Sequence, residues 1–234
     1  MESVFNQENV TCIIPFYDEE VWTLRIIVFS LLAIPEINQI ILVDDGSKSK
    51  KVYNAMVRTF KHRYPVKILR IKSNIGKSSA VSFALNKAYN KNILLVDSDL
   101  EDVRISEFKM AIKKFKEESL EMVILKRIKS LPLVKLFRSN TLFSGERIIN
   151  KNQLSKILAT GVKGFQLEIA INQYFIDKKL QNKCGWSPSS AVNNYKFKKI
   201  GFLKGLYKDY KMYNDLIKYV GLRNYVNQVF NFCK

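Results

Sequence analysis

The sequence predicts an α/β fold: a mostly parallel sheet flanked by helices, followed by a basic, amphipathic C-terminal extension. Three observations predict it. Short apolar runs alternate with helical patterns through the first 125 positions. Polar turn clusters close three of those runs. Hydrophobic residues make up 47% of the 234, enough for a sizeable core, so a disordered or low-complexity chain is excluded.

The elements follow in order. Val10–Phe16 is a continuous apolar run and reads as a strand buried on both faces. Glu19–Leu32 reads as a helix, stopped near Pro35. Gln39–Val43 is a second strand, closed by the turn residues Asp44-Asp45-Gly46-Ser47. Lys50–His62 is a helix and Val66–Ile71 a third strand. Gly76–Tyr89 is a helix, with Ala80, Ala84 and Ala88 forming a small-residue stripe. Asn92–Val96 is a fourth strand, Ser106–Glu118 a helix and Glu121–Leu125 a fifth strand. Strands that alternate with helices form right-handed βαβ units. Beyond Leu125 the pattern degrades: Lys126–Arg147 is basic and broken by Pro132. Phe165–Lys179 looks helical. Phe202–Val220 reads as an amphipathic helix, with Leu203, Leu206, Tyr210, Tyr213, Ile217 and Val220 on one face. Residues 1–200 form one domain in this reading, and 201–234 are basic helices suited to a membrane surface.

Composition bounds the function. Lysine and arginine number 39 against 21 acids, a net charge of +18, which favours anionic partners or simply solvates the surface. Three cysteines, without CxxC spacing, argue against a disulfide framework or structural zinc and fit a reducing, cytoplasmic compartment. No apolar run reaches the ~18 residues of a spanning helix. The polar, acidic start of the chain does not read as a signal peptide. The one histidine, His62, lies among charges, which argues against histidine-based catalysis.

In an open parallel sheet, ligands bind beyond the C-terminal ends of the strands. Tyr17-Asp18-Glu19-Glu20, Asp44-Asp45-Gly46-Ser47 and Asp97-Ser98-Asp99-Leu100-Glu101 all fall at such ends. Asp and Ser also cap helices. Three acidic clusters on one sheet edge of a cationic chain, however, repel unless a cation neutralises them. Oxygen ligands suit Mg²⁺ or Mn²⁺, and such an ion implies a phosphate-bearing substrate. Asn74-Ile75-Gly76-Lys77-Ser78 ends like a P-loop, but Ile71 stands where that motif needs Gly. Gly76 at a helix start can still present N–H groups to an anion.

Four segments in register resemble the family-2 glycosyltransferases of the GT-A nucleotide-sugar fold. They are Ile13-Ile14-Pro15-Phe16-Tyr17-Asp18-Glu19, Leu42-Val43-Asp44-Asp45-Gly46-Ser47, Asn74-Ile75-Gly76-Lys77 and Leu94-Leu95-Val96-Asp97-Ser98-Asp99. Ser144-Gly145-Glu146-Arg147 and Gly164-Phe165-Gln166-Leu167-Glu168 extend the likeness, which is greatest to the polyprenyl-phosphate (dolichyl-phosphate) sugar transferase branch. The resemblance implies that Pro15, Tyr17, Glu19, Asp44, Asp45 and Lys77 line a nucleotide-sugar donor. It places Asp97 and Asp99 at the DxD positions, Asp99 on the metal and Asp97 on the ribose or metal shell, with Glu101 as a further oxygen ligand. Arg127, Arg138 and Ser139 would hold an acceptor phosphate, joined by Arg147. Glu168 is a candidate base for a hydroxyl acceptor, and Glu146 a weaker one. A lipid phosphate needs no base, since its second pKa is about 6 and it is already anionic.

Three residues depart from the family pattern: Asp18 for Asn, Ser78 for Gly and Thr141 for an Asp before the Ser-Gly. The reading is therefore an inverting, metal-dependent transferase that moves a sugar from a UDP- or GDP-sugar to a polyprenyl phosphate or a glycan hydroxyl. It would contact membrane peripherally. A non-catalytic nucleotide-sugar or lipid-binding module is the alternative. No nucleic-acid partner is expected, because charge alone supports one and the acidic sheet edge opposes it. The oligomeric state is left open.

Overall fold

Apolar side chains at successive strand positions point to opposite faces of one sheet, so both faces need cover. The computed structural model describes residues 9–130, 134–135, 138–163, 166–193 and 214–233. Seven strands form the sheet: β1 (Val10–Phe16), β2 (Ile37–Asp44), β3 (Val66–Arg70), β4 (Asn92–Leu95), β6 (Met122–Arg127), β7 (Arg147–Asn150) and β8 (Cys184–Ser189). Their order is β3-β2-β1-β4-β7-β6-β8. All run parallel except β7, which is antiparallel to β4 and β6. Two-residue β5 (Leu100–Glu101) pairs antiparallel with β9 (Val192–Asn193) as a separate ribbon.

One face packs on α1 (Val21–Leu32), α2 (Lys51–Phe60) and α4 (Ile105–Glu117). Cys12, Ile14, Ile40, Leu42, Leu94, Val123 and Ile148 meet Leu24, Ile27, Phe60, Phe108 and Phe115 there. The other face packs on α3 (Lys77–Leu85), α6 (Lys151–Leu158), α7 (Gln166–Asp177) and α8 (Leu222–Asn231). Ile13, Ile41, Ile93, Leu95, Ile124 and Ile149 meet Ala80, Ala84, Leu154, Ile171 and Phe175 there. A four-residue α5 (Ser139–Leu142) and a 3₁₀ turn (Gln181–Lys183) complete the described elements. The three cysteines are free. Among the described residues no helix is long and apolar enough to cross a membrane.

The five expected strands and four expected helices up to β6 are all present, with ends moved by a few residues. The helix expected to reach Tyr89 stops at Leu85. Beyond it Lys87 N–H and Ala88 N–H turn to the carbonyls three residues back, Ala84 and Leu85, and the free carbonyls of Lys87 and Ala88 accept from Gln39 Nε2 at 2.9 Å and Lys151 Nζ at 2.6 Å. The basic stretch after Leu125 extends β6 to Arg127 and supplies α5 and β7. Of the expected C-terminal helix, positions 202–213 lie outside the described residues. Positions 214–220 are helical, with Leu216 and Val220 buried against Ile169 and Lys218 exposed.

The N-terminal edge of the sheet, opposite the acidic clusters, carries a buried polar latch. Thr11 Oγ1 donates to Gln39 Oε1 (2.7 Å), Tyr89 N–H donates to the same oxygen (3.1 Å), and Asn90 Nδ2 donates to Thr11 Oγ1 (3.0 Å). Replacing Gln39 by Leu removes the acceptor of the Thr11 hydroxyl and the Tyr89 N–H and the donor to the Lys87 carbonyl. We expect urea unfolding to show a loss of about 2–3 kcal/mol, with nucleotide responses of the folded protein unchanged.

Candidate active site

The chain builds β1, β2 and β3 outward on one side and then returns to place β4 on the other side of β1. That reversal lies between β1 and β4, where an open α/β sheet leaves a crevice at its C-terminal edge. Phe16 pairs with Asp44, and Val96 N–H donates to Ile13 O. The residues that follow β1, β2 and β4 therefore lie along one edge, as their sequence positions predict.

Two of these loops are braced from within. Asp18 Oδ1 accepts from Lys48 N–H (2.9 Å), and Ser47 Oγ accepts from Asp18 N–H (2.9 Å). Asp44 is fully buried, accepts from Ser47 N–H and is ion-paired to Arg70, which also donates to Ser47 O. The Asp45 carboxylate accepts from Ile75 N–H and Gly76 N–H, each at 2.9 Å. The anion at the start of α3 is thus the protein's own carboxylate. These bonds tie Asp44 and Asp45 to the loops that frame the site. Gly46 has φ +69°, and a Cβ there would lie 2.3 Å from the Ser73 carbonyl carbon, so the two loops close only over glycine. Pro15 is buried in β1, Tyr17 is 39% exposed and Glu19 half-buried beside it.

The centre of the site is a chain of alternating charges. Lys77 Nζ donates to Asp97 Oδ1 at 2.6 Å and to Glu168 Oε1 at 2.7 Å. Arg127 donates to Glu146 at 3.0 Å and reaches Asp97 Oδ2 at 3.4 Å. Ser144 Oγ donates to Glu146 as well. Burial alone would lower the Lys77 ammonium, but Asp97 and Glu168 hold its pKa above the ordinary value. Burial would raise the Asp97 carboxyl, yet Lys77 and Arg127 hold it well below the usual carboxylate range. The Arg127 guanidinium is raised against burial by Glu146 and Asp97. Burial raises the Glu146 carboxyl, Arg127 offsets part of this, and the charge of Asp97 adds to it. Gly145 permits this crowding: a Cβ there would lie 2.4 Å from Asp97 Oδ2.

Among the described residues Lys77 and Arg127 thus neutralise part of the acidic edge, as Arg70 does at Asp44. Asp99 is half-buried on the loop after β4, while Glu101 is exposed on β5. Among the described residues no three His, Cys, Asp or Glu side chains group closely enough to hold a metal, so Asp97, Asp99 and Glu101 do not form a three-carboxylate cage. The donor set suits an ion that takes most of its oxygens from a bound diphosphate and one or two from the loop after β4.

The expected phosphate clamps separate. Arg147 is fully buried and donates to the carbonyls of Ser144 (2.7 Å), Leu142 (3.2 Å) and Glu168 (3.4 Å) and to Asn172 Oδ1 (3.0 Å). Burial lowers its pKa. These bonds brace the loop and α7 from beneath. Arg138 has φ +54° and donates to the carbonyls of Val229 and Cys233. It also lines a cavity of about 260 Å³ with Lys126, Ile128, Lys135, Asn140 and Thr141. Among the described residues Thr141 Oγ1, buried there, has no hydrogen-bond partner. Ser139 is buried at the start of α5. Sequence reasoning missed Arg70 and the pairings of Lys77 and Arg127, since the partners lie up to 91 positions apart.

These shifts set a pH dependence. A carboxylate held below its unfolded pKa stabilises the fold fully above that value and loses the contribution as pH falls. Wild-type stability should therefore fall more steeply below about pH 4 than that of Asp97→Asn. Urea unfolding between neutral and acidic pH checks this; parallel curves would remove the ion-pair assignment.

Residues 11–179 match the family model described as glycosyl transferase family 2. Among curated protein sequences none matches significantly. Similar solved structures include glucosyl-3-phosphoglycerate synthase from Mycobacterium tuberculosis in complex with Mn²⁺, UDP and glucosyl-3-phosphoglycerate. It is 15% identical, with a TM-score of 0.64 over 82% of this chain and 75% of that one. The same enzyme with Mn²⁺ and UDP-glucose aligns at 15% identity and a TM-score of 0.63, over 82% and 74% of the two chains. A structure described as a mycobacterial protein aligns at 16% identity and a TM-score of 0.58, over 80% and 69%. At these identities the structures establish the shared GT-A-like fold, and the family model, which spans more than half of the sequence, establishes the rest: the chain belongs to glycosyl transferase family 2.

Proposed function

We propose that this glycosyltransferase is metal-dependent and inverting, and that it moves a sugar from a UDP- or GDP-sugar to a polyprenyl phosphate. The observation that carries the reading is the meeting of the loops after β1, β2 and β4 at the β1–β4 crevice, with Lys77 paired to Asp97 at its centre and Asp99 two residues further along the same loop. The solved relatives that hold Mn²⁺ with UDP or UDP-glucose support UDP as the nucleotide. Tyr17 and Glu19 suit the nucleoside end, and Lys77 the diphosphate. Asp99, with Asp97, would hold Mg²⁺ or Mn²⁺ together with diphosphate oxygens. Such an ion offsets the charge that develops on the leaving nucleoside diphosphate.

An anionic acceptor is its own nucleophile, so the protein's task is to position it. The cavity between Lys126, Lys135 and Arg138 supplies positive charge and the unpartnered Thr141 hydroxyl. One in-line displacement at the sugar carbon inverts its configuration. A glycan hydroxyl is the second reading, favoured by one observation: Glu168 shares the Lys77 ammonium with Asp97, which puts a carboxylate at the centre of the site as a possible base.

Thermal unfolding tests the donor site. At about 100 times its Kd, UDP with Mn²⁺ should stabilise the protein by about 2.7 kcal/mol, and Asp99→Asn should abolish the metal-dependent part. Equal shifts in wild type and variant would contradict the metal assignment. Transfer assays with a polyprenyl phosphate, a phosphoglycerate and a neutral glycan then separate the acceptor classes.

A further inference from the structure

We propose that the outer face of α1 and α2 is a docking surface for anionic membrane. Trp22, Ile26 and Phe29 follow one another along the solvent side of α1 and are 70%, 42% and 43% exposed. With Arg25, Ser30 and Thr59 they line an open groove of about 510 Å³. The groove is built: Arg25 donates to Thr59 Oγ1 at 2.7 Å, and the Arg63 guanidinium lies 5.2 Å from the Phe29 ring centre. A contiguous exposed patch containing tryptophan is unusual on a lone soluble domain.

Charge identifies the occupant. Residues 21–35, which contain α1, have no acid, and neither do residues 46–63, which contain α2. The second stretch carries Lys48, Lys50, Lys51, Arg58, Lys61 and Arg63. An apolar ridge with an indole at its head, with acids only at its two ends (Asp18, Glu19 and Glu20 ahead of it, Glu36 after it) and cations along α2, suits the boundary between anionic headgroups and acyl chains. A second copy of the chain would bring the same positive border against itself, which disfavours self-association through this face. Trp22 stands in the first turn of α1, just after Tyr17 and Glu19, so a docked bilayer would lie beside the mouth of the site. The inference does not depend on a lipid acceptor, because a soluble acceptor leaves the surface unchanged.

The test is co-sedimentation of the full chain with vesicles of phosphatidylcholine plus phosphatidylglycerol, against phosphatidylcholine alone. We expect binding to the anionic vesicles that weakens with salt. In a Trp186→Phe background the emission of Trp22, the remaining tryptophan, should shift to the blue on binding. Trp22→Ser with Ile26→Ser should weaken binding by about tenfold or more. Arg58→Ser with Lys61→Ser changes only exposed cations and should also weaken it, whatever the first pair does to folding. Binding that is absent, indifferent to both pairs, or abolished only by Leu222→Ser with Phe230→Ser on α8 would overturn the proposal. So would a dimer in solution that the α1 variants dissolve.

Discussion

A lysine ammonium held between two carboxylates organises the active edge of this protein. Lys77 belongs to the first turn of α3, Asp97 to the loop after β4 and Glu168 to the first turn of α7. Three elements far apart in sequence are thereby tied at one point. Without the ammonium, two carboxylates would lose their shared partner in a partly buried crevice, which is unfavourable. Arg127 extends the arrangement to Glu146, and Gly145 leaves the space in which Asp97 approaches β7. The edge is acidic in sequence, and in the structure Lys77, Arg127 and Arg70 offset part of that charge.

The rest of the fold is arranged to hold that edge still. Buried Asp44 and Asp45 spend their charge on neighbouring loops, one through Arg70 and one through the N–H groups ahead of α3. Arg147 does the same from below, with its guanidinium spread over backbone carbonyls of the Ser-Gly loop and α7. At the opposite end of the sheet, the Gln39 latch joins β1, β2 and the chain leading to β4. Both ends of the strands around the crevice are thus fixed by buried polar groups, while the apolar layers supply cohesion.

Local patterns made the first half of the fold legible. β1 to β4 each hold a short apolar stretch, and α1, α2 and α4 show helical periodicity, so no distant partner is needed to recognise them. β7 has two apolar residues in four, and β8 reads Cys-Gly-Trp-Ser-Pro-Ser; pairing with β4 and β6 makes them strands, and a local reading cannot see that pairing. The candidate site divides the same way. Turn clusters and family motifs mark where Asp97, Asp99, Lys77 and Glu168 stand in the sequence. The partners that Asp44, Asp45 and Arg147 take within the fold are set by burial and by hydrogen bonds to distant elements, which a local reading cannot see.

The account rests on the coupling of Lys77 to Glu168 across 91 positions. A double-mutant cycle of Lys77→Met and Glu168→Gln, read by urea unfolding at neutral pH and low salt, measures it directly. We predict a favourable coupling of at least about 1 kcal/mol, with both single variants less stable than wild type. Additive losses within about 0.3 kcal/mol would mean that the two groups act independently and that something else holds α3 and α7 to the edge of the sheet.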